Sequence, residues 1–263
     1  MLKKKKFPIL EFDTDTHPII NAREQITKIS GISDYCIICF FQNAIKKFLR
    51  NNPDYEVVYI FMGSGGFIKA PVYKVKVGNG YVCLTQAIVG APVAAAQIDE
   101  ISALGYTKFL CIGSAGVIDK EHQYGKLMLP TAAIRDEGTS YHYVKPAYEI
   151  EVDKKIIKTI EDYFNKNKLP FIKGKTWTTD AFYRETKGKI ALRKSQGCIS
   201  VEMECAAYLA SAKYNDVQFG QILYAGDCIG DEMWHNKRWK SKTMREQIQY
   251  ELLEHAMKIV RKF

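Results

Sequence analysis

Short β-type runs alternate with helical patterns along almost the whole chain, and this alternation restricts the possible folds more than any other feature. Apolar runs rich in β-branched and aromatic residues, at 35–40, 108–112 and 219–225, are typical of buried strands. Residues 243–260 space their apolar side chains at three and four positions, as an amphipathic helix does. The alternation predicts a sheet covered by helices, and 263 residues with 47% hydrophobic content suit one large α/β domain.

The start of the chain does not have the pattern of a secretory signal. The basic residues 3–6 are followed by Pro8, Glu11 and Asp13, whereas a signal peptide continues with an apolar stretch of about 7–15 residues. No apolar run approaches the roughly 20 residues that a membrane-spanning helix needs. We therefore expect a cytoplasmic protein that does not associate with membranes.

The seven cysteines fall mostly inside apolar runs, which predicts buried free thiols in a reducing compartment. Cys36 and Cys39 have the spacing of a metal or redox pair. They lack a second pair and lie within a strand-like run, so packing in the core is the favoured interpretation.

The net charge of +9 permits nucleic-acid binding but does not require it. Beyond residues 3–6 the charges are mixed in sign, which favours a solvated, mildly basic surface. We expect no nucleic-acid partner, and an anionic small substrate fits the charge equally well.

Two glycine-rich segments follow predicted strands. Gly113-Ser114-Ala115-Gly116 comes directly after 108–112, where glycines let the backbone approach a ligand and a serine hydroxyl can hold an anion or a ribose oxygen. The segment matches neither a P-loop nor a dinucleotide fingerprint, so a plain tight turn is an equal alternative. Gly63-Ser64-Gly65-Gly66 is a weaker candidate of the same kind.

Three acidic residues stand at the ends of predicted strands. Glu202 and Glu204 flank Met203 at a strand-to-helix junction, where a carboxylate can accept both hydroxyls of a ribose diol. The alternative is a carboxylate that stabilises the helix N-terminus. Asp227 follows the last strand, so it is a candidate general acid or a turn residue.

These motifs together resemble a known family. Gly113-Ser114-Ala115-Gly116, the stretches 133–143 and 178–183, and Val201-Glu202-Met203-Glu204 occur in the order found in the purine nucleoside and uridine phosphorylase family, which includes the methylthioadenosine nucleosidases. The resemblance covers residues 34–263 and implies a single α/β domain of three layers, α/β/α, with a central mixed, partly barrel-like sheet. Residues 1–33 are then an N-terminal extension that packs on or near this domain.

The resemblance also implies roles for residues on the nucleoside side of the site. Glu204 would bind the ribose 2′- and 3′-hydroxyls, with Met203 under the sugar and Glu202 beside it. Phe182 would stack on the base, with Tyr183 next to it.

The remaining implied roles concern the acceptor, the leaving group and a neighbouring subunit. Ser114, with Gly113, matches the phosphate contact of the phosphorylases. Asp227 matches the acid that protonates N7 of a purine, which favours purines over uridine. His17 resembles the histidine that reaches the 5′-hydroxyl in a neighbouring subunit, which implies a homo-oligomer, dimer or hexamer. We expect neither a cofactor nor a metal.

The departures from the family concern phosphate. The phosphate-binding arginines of the family are missing at three places. Cys111 occupies one of their positions, residues 39–43 lack the arginine loop, and residues 60–66 contain no arginine.

Phosphate is still the expected acceptor, so we expect a nucleoside phosphorylase of purine salvage. A hydrolytic nucleosidase using water is the first alternative, and a non-catalytic nucleoside-binding protein is the second. The candidates to replace the arginines are Lys46, Lys47, Lys69 and the 63–66 turn.

Overall fold

The computed structural model describes residues 2–62, 69–119, 126–230 and 242–263, in which ten strands form one mixed sheet. The glycine-rich turn at 63–66 lies outside the described residues. The strands are β1 (Tyr35–Cys39), β2 (Tyr55–Met62), β3 (Lys69–Val77), β4 (Gly80–Gln86), β5 (Lys108–Val117), β6 (Leu127–Asp136), β7 (Glu149–Glu151), β8 (Phe171–Thr179), β9 (Cys198–Glu202) and β10 (Gln218–Cys228).

Helices connect most of these strands. They are α1 (Ala22–Gln25), α2 (Gln42–Asn51), α3 (Ala91–Ala103), α4 (Ser140–Tyr143), α5 (Lys154–Lys166), α6 (Lys187–Ser195), α7 (Cys205–Tyr214) and α8 (Lys242–Ile259). The sequence pattern did not predict α6, because Arg193 is its one buried residue and it has no apolar face to give a period.

The sheet closes on itself at one end. Its strand order is β10-β6-β8-β9-β5-β1-β4-β3-β2, and β10 also pairs with β5. That second pairing joins β5, β10, β6, β8 and β9 into a closed ring, from which β1, β4, β3 and β2 extend as an open sheet. Helices α3 and α7 pack on each other, and α8 packs on α2 and α5. The predicted three-layer α/β/α domain with a mixed, partly barrel-like sheet is confirmed.

Two strands are longer than their apolar runs predict. β5 continues through Gly113-Ser114-Ala115-Gly116 to Val117, so this segment is strand and neither a loop nor a tight turn. β10 likewise continues through Asp227, which therefore is not a turn residue after the strand. The reason is that β5 and β10 pair in parallel along this whole length, with one irregularity between Ala225 and Asp227. Their backbone hydrogen bonds extend the strands past the apolar side chains.

The glycines of β5 are explained by close packing. A side chain at Gly113 would place its Cβ 2.9 Å from the Phe40 ring, and one at Gly116 would lie 2.9 Å from Val201 Cγ1. These positions need the absence of a side chain rather than unusual backbone angles.

All seven cysteines are buried and free. Cys36 and Cys39 are fully buried in β1, and Cys36 Sγ lies 3.0 Å from Cys83 Sγ on the neighbouring strand β4. The prediction of buried free thiols in the core is confirmed.

The N-terminal segment contacts the domain at several points. Ile29 N donates to Leu104 O, and Arg23 Nη2 donates to Asn215 O at 2.6 Å. Ile26 and Ile32 pack against the main core. The boundary between residues 33 and 34 stays a prediction.

Within the described parts of the chain, no helix combines the length and the apolar character needed to cross a bilayer.

Candidate active site

A cavity of about 700 Å³ opens beside the end of the strand ring. Its wall is built from parts of β5, β9 and β10, from residues 182–190, which follow β8, and from Phe40 and Val89. The predicted site residues on this wall are Ser114, Phe182, Tyr183, Glu202, Met203, Glu204 and Asp227. The fold thus brings together residues more than 110 positions apart in the chain.

Glu202 is held by protein donors on both carboxylate oxygens. Oε1 accepts a hydrogen bond from Thr178 Oγ1 at 2.6 Å, and Oε2 accepts from the backbone N–H groups of Glu204 at 2.9 Å and Cys205 at 2.6 Å. Burial raises the pKa of this carboxyl above its ordinary range. Glu202 therefore fixes the start of α7, as a helix N-terminal carboxylate does, and with it the backbone of Glu204.

Glu204 is buried, lines the cavity and is held by two backbone donors. Its Oε1 accepts from the backbone N–H of Gly90 at 2.8 Å, and Oε2 accepts from that of Met203 at 3.2 Å. Gly90 has a φ of 109°, which favours glycine, and it stands directly before α3. Burial, with repulsion from Glu202, raises the pKa of Glu204 to about 8. The carboxylate is thus positioned from two sides before any ligand arrives.

This raised pKa makes stability depend on pH. Between the ordinary pKa of 4.5 and about 8, the folded chain holds a proton on Glu204 that the unfolded chain has lost. The free energy of unfolding attributable to this group should therefore fall as pH rises through that window and level off above it. We expect Glu204→Gln, which cannot ionise, to gain in Tm relative to the unmodified chain as pH rises toward 8. Scanning calorimetry across the window measures this difference, and a gap independent of pH would contradict the expectation.

The far wall of the cavity carries aromatic rings. Phe182 and Tyr183 lie with ring centroids 4.1 Å apart, on the single-turn helix Phe182–Arg184. Phe182 is 51% exposed and Tyr183 89% exposed, so both present surface to a ligand. Flat, exposed rings at a cavity wall suit stacking against a planar base.

Glu185 and Lys187 also line the cavity, although the sequence pattern did not predict either of them. Burial, followed by the negative charge of Asp227, raises the pKa of Glu185 to about 7. Glu185 and Asp227 are therefore neighbours in one acidic environment, although 42 positions separate them in the chain. One indication of these two residues is present in the sequence: residues 184–187 directly follow the aromatic motif at 178–183.

Asp227 and Ser114 lie on the paired strands β10 and β5. Asp227 pairs in register with Gly116, and a Cβ at Gly116 would lie 3.4 Å from Asp227 Oδ1. Ser114 reaches the cavity, whereas Gly113 is not among its lining residues because the ring of Phe40 covers it.

His17 lies away from this cavity. Its side chain is 87% exposed, and its backbone N–H donates to Asp15 Oδ1 at 2.9 Å. The role inferred for it concerns a neighbouring subunit and stays a prediction.

The three candidate lysines also lie elsewhere. Lys46 and Lys47 line a separate depression between α2 and α8, and Lys69 begins β3 outside the cavity wall. Among the described lining residues, Lys187 is the one cationic side chain, beside four carboxylates. In the described ranges, no group of three or more His, Cys, Asp and Glu side chains could hold a metal ion.

A family model matches almost the whole of this architecture. The model of the phosphorylase superfamily matches residues 34–263. The chain belongs to the phosphorylase superfamily.

Curated relatives are distant and match in part. A guanosine phosphorylase of Halorubrum lacusprofundi is 27% identical over 134 residues, which are 51% of this chain and 56% of that protein. The chain thus spans about half the length of this relative.

Solved structures share the fold along most of the chain. A uridine phosphorylase of Vibrio fischeri superposes with a TM-score of 0.71 at 18% identity, covering 89% of this chain and 93% of that one. An AMP nucleosidase of Bacteroides thetaiotaomicron superposes with a TM-score of 0.65 at 20% identity, covering 88% and 90% of the two chains. At such identities the likeness concerns the fold alone.

Proposed function

We propose that this chain cleaves the N-glycosidic bond of a purine nucleoside and transfers the sugar to phosphate. The proposal rests on one observation: a single cavity has three kinds of functional group on its wall. It holds a pinned carboxylate at Glu204, aromatic rings at Phe182 and Tyr183, and an acidic pair at Glu185 and Asp227. These are the groups needed to hold a ribose, hold a base and protonate a leaving group.

The sugar is held from the α7 side. Glu204 accepts hydrogen bonds from the 2′- and 3′-hydroxyls, and Met203 packs under the ring. Glu202 acts through Glu204, because its own oxygens are occupied by Thr178 and backbone donors. A fixed sugar can develop oxocarbenium character at C1′ without losing its orientation to the base.

The base leaves toward the 182–190 wall. It stacks on Phe182, with Tyr183 alongside, and takes a proton on N7 from Asp227. As the bond between C1′ and N9 breaks, its electron pair moves into the base, and protonation makes the base a better leaving group. The purine preference follows, because a pyrimidine has no N7.

Two observations support phosphate as the acceptor. Ser114 lines the cavity, at the position that the family resemblance assigns to a phosphate contact. The Halorubrum relative is named a guanosine phosphorylase.

Water is the second candidate acceptor, and a specific observation favours it. Glu185, Glu202, Glu204 and Asp227 make the described cavity wall acidic, with Lys187 as its one cation. Such a wall offers a phosphate dianion a single cationic partner, whereas water needs none. The superposing AMP nucleosidase carries a hydrolytic name on the same fold.

A nucleoside panel tests the function. Inosine, adenosine, guanosine and uridine are incubated with and without phosphate, and free base and ribose 1-phosphate are measured. Phosphorolysis yields ribose 1-phosphate and needs phosphate, whereas hydrolysis yields ribose in its absence. Calorimetric binding of a nucleoside without any product would instead support a binding protein.

The proposed site is completed by a second copy of the chain. We expect at least a dimer, in which His17 of one subunit contacts the 5′-hydroxyl in the other. Sedimentation at micromolar concentration measures the mass, and a monomer there would remove the role of His17. We further propose that the protein acts in the cytoplasm, in purine salvage. It needs neither a cofactor nor a nucleic-acid partner.

A further inference from the structure

Gln221 is a buried polar side chain that the proposed mechanism does not use. It lies in the middle of β10, is 1% exposed, and contributes to the wall of the cavity. Among the described residues, neither its Oε1 nor its Nε2 has a hydrogen-bond partner. A buried carboxamide without hydrogen-bond partners is unfavourable. A ligand that occupies the cavity is the candidate partner.

The strand pairing of Gln221 shows which part of the cavity it lies in. It pairs in register with Cys111 on β5, and registered residues of parallel neighbours point to the same face of a sheet. Cys111 occupies the position where the family resemblance puts a phosphate arginine. Gln221 therefore lies beside the place that such an arginine would fill, and Phe40 and Ser114 line the same cavity.

We propose that Gln221 binds the oxygen nucleophile that attacks C1′, in place of the missing arginine. The inference rests on the proposed function and names the residue that holds its acceptor. A carboxamide offers one donor group and one acceptor group. Its matching partner both donates and accepts, as hydrogen phosphate and water do.

The step balances with either nucleophile. The oxygen forms a bond to C1′ while the bond between C1′ and N9 breaks, and the electron pair leaves with the base. The base takes a proton from Asp227. Water or hydrogen phosphate gives up one proton as its oxygen bonds to C1′, and that proton returns to the Asp227 carboxylate, so the acid is restored.

The test uses Gln221→Met, which keeps the length of the side chain and removes both polar atoms. We expect the Tm to rise by about 2–4 °C, because an unsatisfied buried amide is removed. We expect catalysis to fall by roughly 10²-fold, because the nucleophile is no longer oriented. A residue that only stabilised the fold would change both quantities in the same direction.

Kinetics then identify the nucleophile. If it is phosphate, the KM for phosphate rises while the KM for the nucleoside stays within about twofold. If it is water, kcat falls in phosphate-free buffer at an unchanged KM for the nucleoside. Either result supports the inference.

Thr85→Val is the matched control. Thr85 is fully buried in β4, its Oγ1 has no partner among the described residues, and it does not line the cavity. We expect its Tm to be unchanged or raised and its kinetics to be unchanged.

Three results would overturn the inference. In the first, the Gln221→Met enzyme retains both kcat and the KM for phosphate within about twofold. In the second, both Gln221→Met and Gln221→Leu fail to fold, which would make the amide a structural group. In the third, the unmodified protein cleaves no nucleoside with or without phosphate, which would remove the proposed function as well.

Discussion

Glu204→Ala is expected to lower kcat/KM for inosine by about 10²–10⁴-fold while the chain stays folded. Two ribose hydroxyls lose their shared acceptor, and leaving such a buried donor without a partner costs about 1–3 kcal/mol each. The fold should persist, because the change removes a buried carboxyl whose pKa is raised by burial and by repulsion from Glu202. Steady-state kinetics together with thermal unfolding measure both effects.

A substrate comparison separates this role from a general loss of geometry. The unmodified enzyme should prefer inosine to 2′-deoxyinosine, because one hydroxyl is missing from the second. In Glu204→Ala this preference should shrink, since the acceptor for that hydroxyl is gone. Glu204→Gln is the matched variant, which keeps the shape but weakens the hydrogen bonds. Activity of Glu204→Ala within about threefold of the unmodified enzyme would remove Glu204 from the site.

Asp227→Asn is expected to reduce cleavage of inosine and adenosine by roughly the 10²–10⁴-fold that general acid catalysis contributes. The amide has nearly the shape of the carboxyl but cannot supply the proton for N7. A 7-methylated purine nucleoside already carries the positive charge that protonation would give. Its cleavage should therefore be nearly unaffected, and measuring both substrates isolates the proton from any other role of Asp227.

Glu185→Gln is the control for this assignment, because Glu185 shares the acidic environment of Asp227 and its pKa is raised to about 7. If Glu185→Gln is the variant that loses inosine cleavage and Asp227→Asn is indifferent, the proton comes from Glu185. A wild-type enzyme that prefers uridine, with an indifferent Asp227→Asn, would mean that both the base and the acid are misassigned.

Local chemistry was sufficient to predict several features from the sequence. A Gly-Asn-Gly run between two apolar runs, as at 78–80, predicts a tight hairpin turn. The structure has this turn between β3 and β4, where Gly78 adopts a φ of 60° that glycine tolerates without strain. Burial of the cysteines follows from the apolar runs around them. The two carboxylates of Glu202 and Glu204 could be predicted because the end of a strand and the start of a helix are adjacent in the sequence there.

Other features depended on partners distant in the chain, and the sequence pattern alone did not reveal them. β5 and β10 continue through polar and glycine-rich residues because each is the other's neighbour in the closed ring. The N–H that holds Glu204 comes from Gly90, 114 positions away, and the carboxyl beside Glu185 comes from Asp227.

Gln221 illustrates the difference most clearly. The sequence offered one polar residue within an apolar strand, which a satisfied core amide would explain equally well. The tertiary structure decided that Gln221 lines the cavity and that its buried amide has no partner among the described residues. Side-chain periodicity reports which face of a strand is buried, because it depends on backbone geometry a few residues long. What a buried polar atom meets depends on the packing of other segments, and that is determined only when the ring closes.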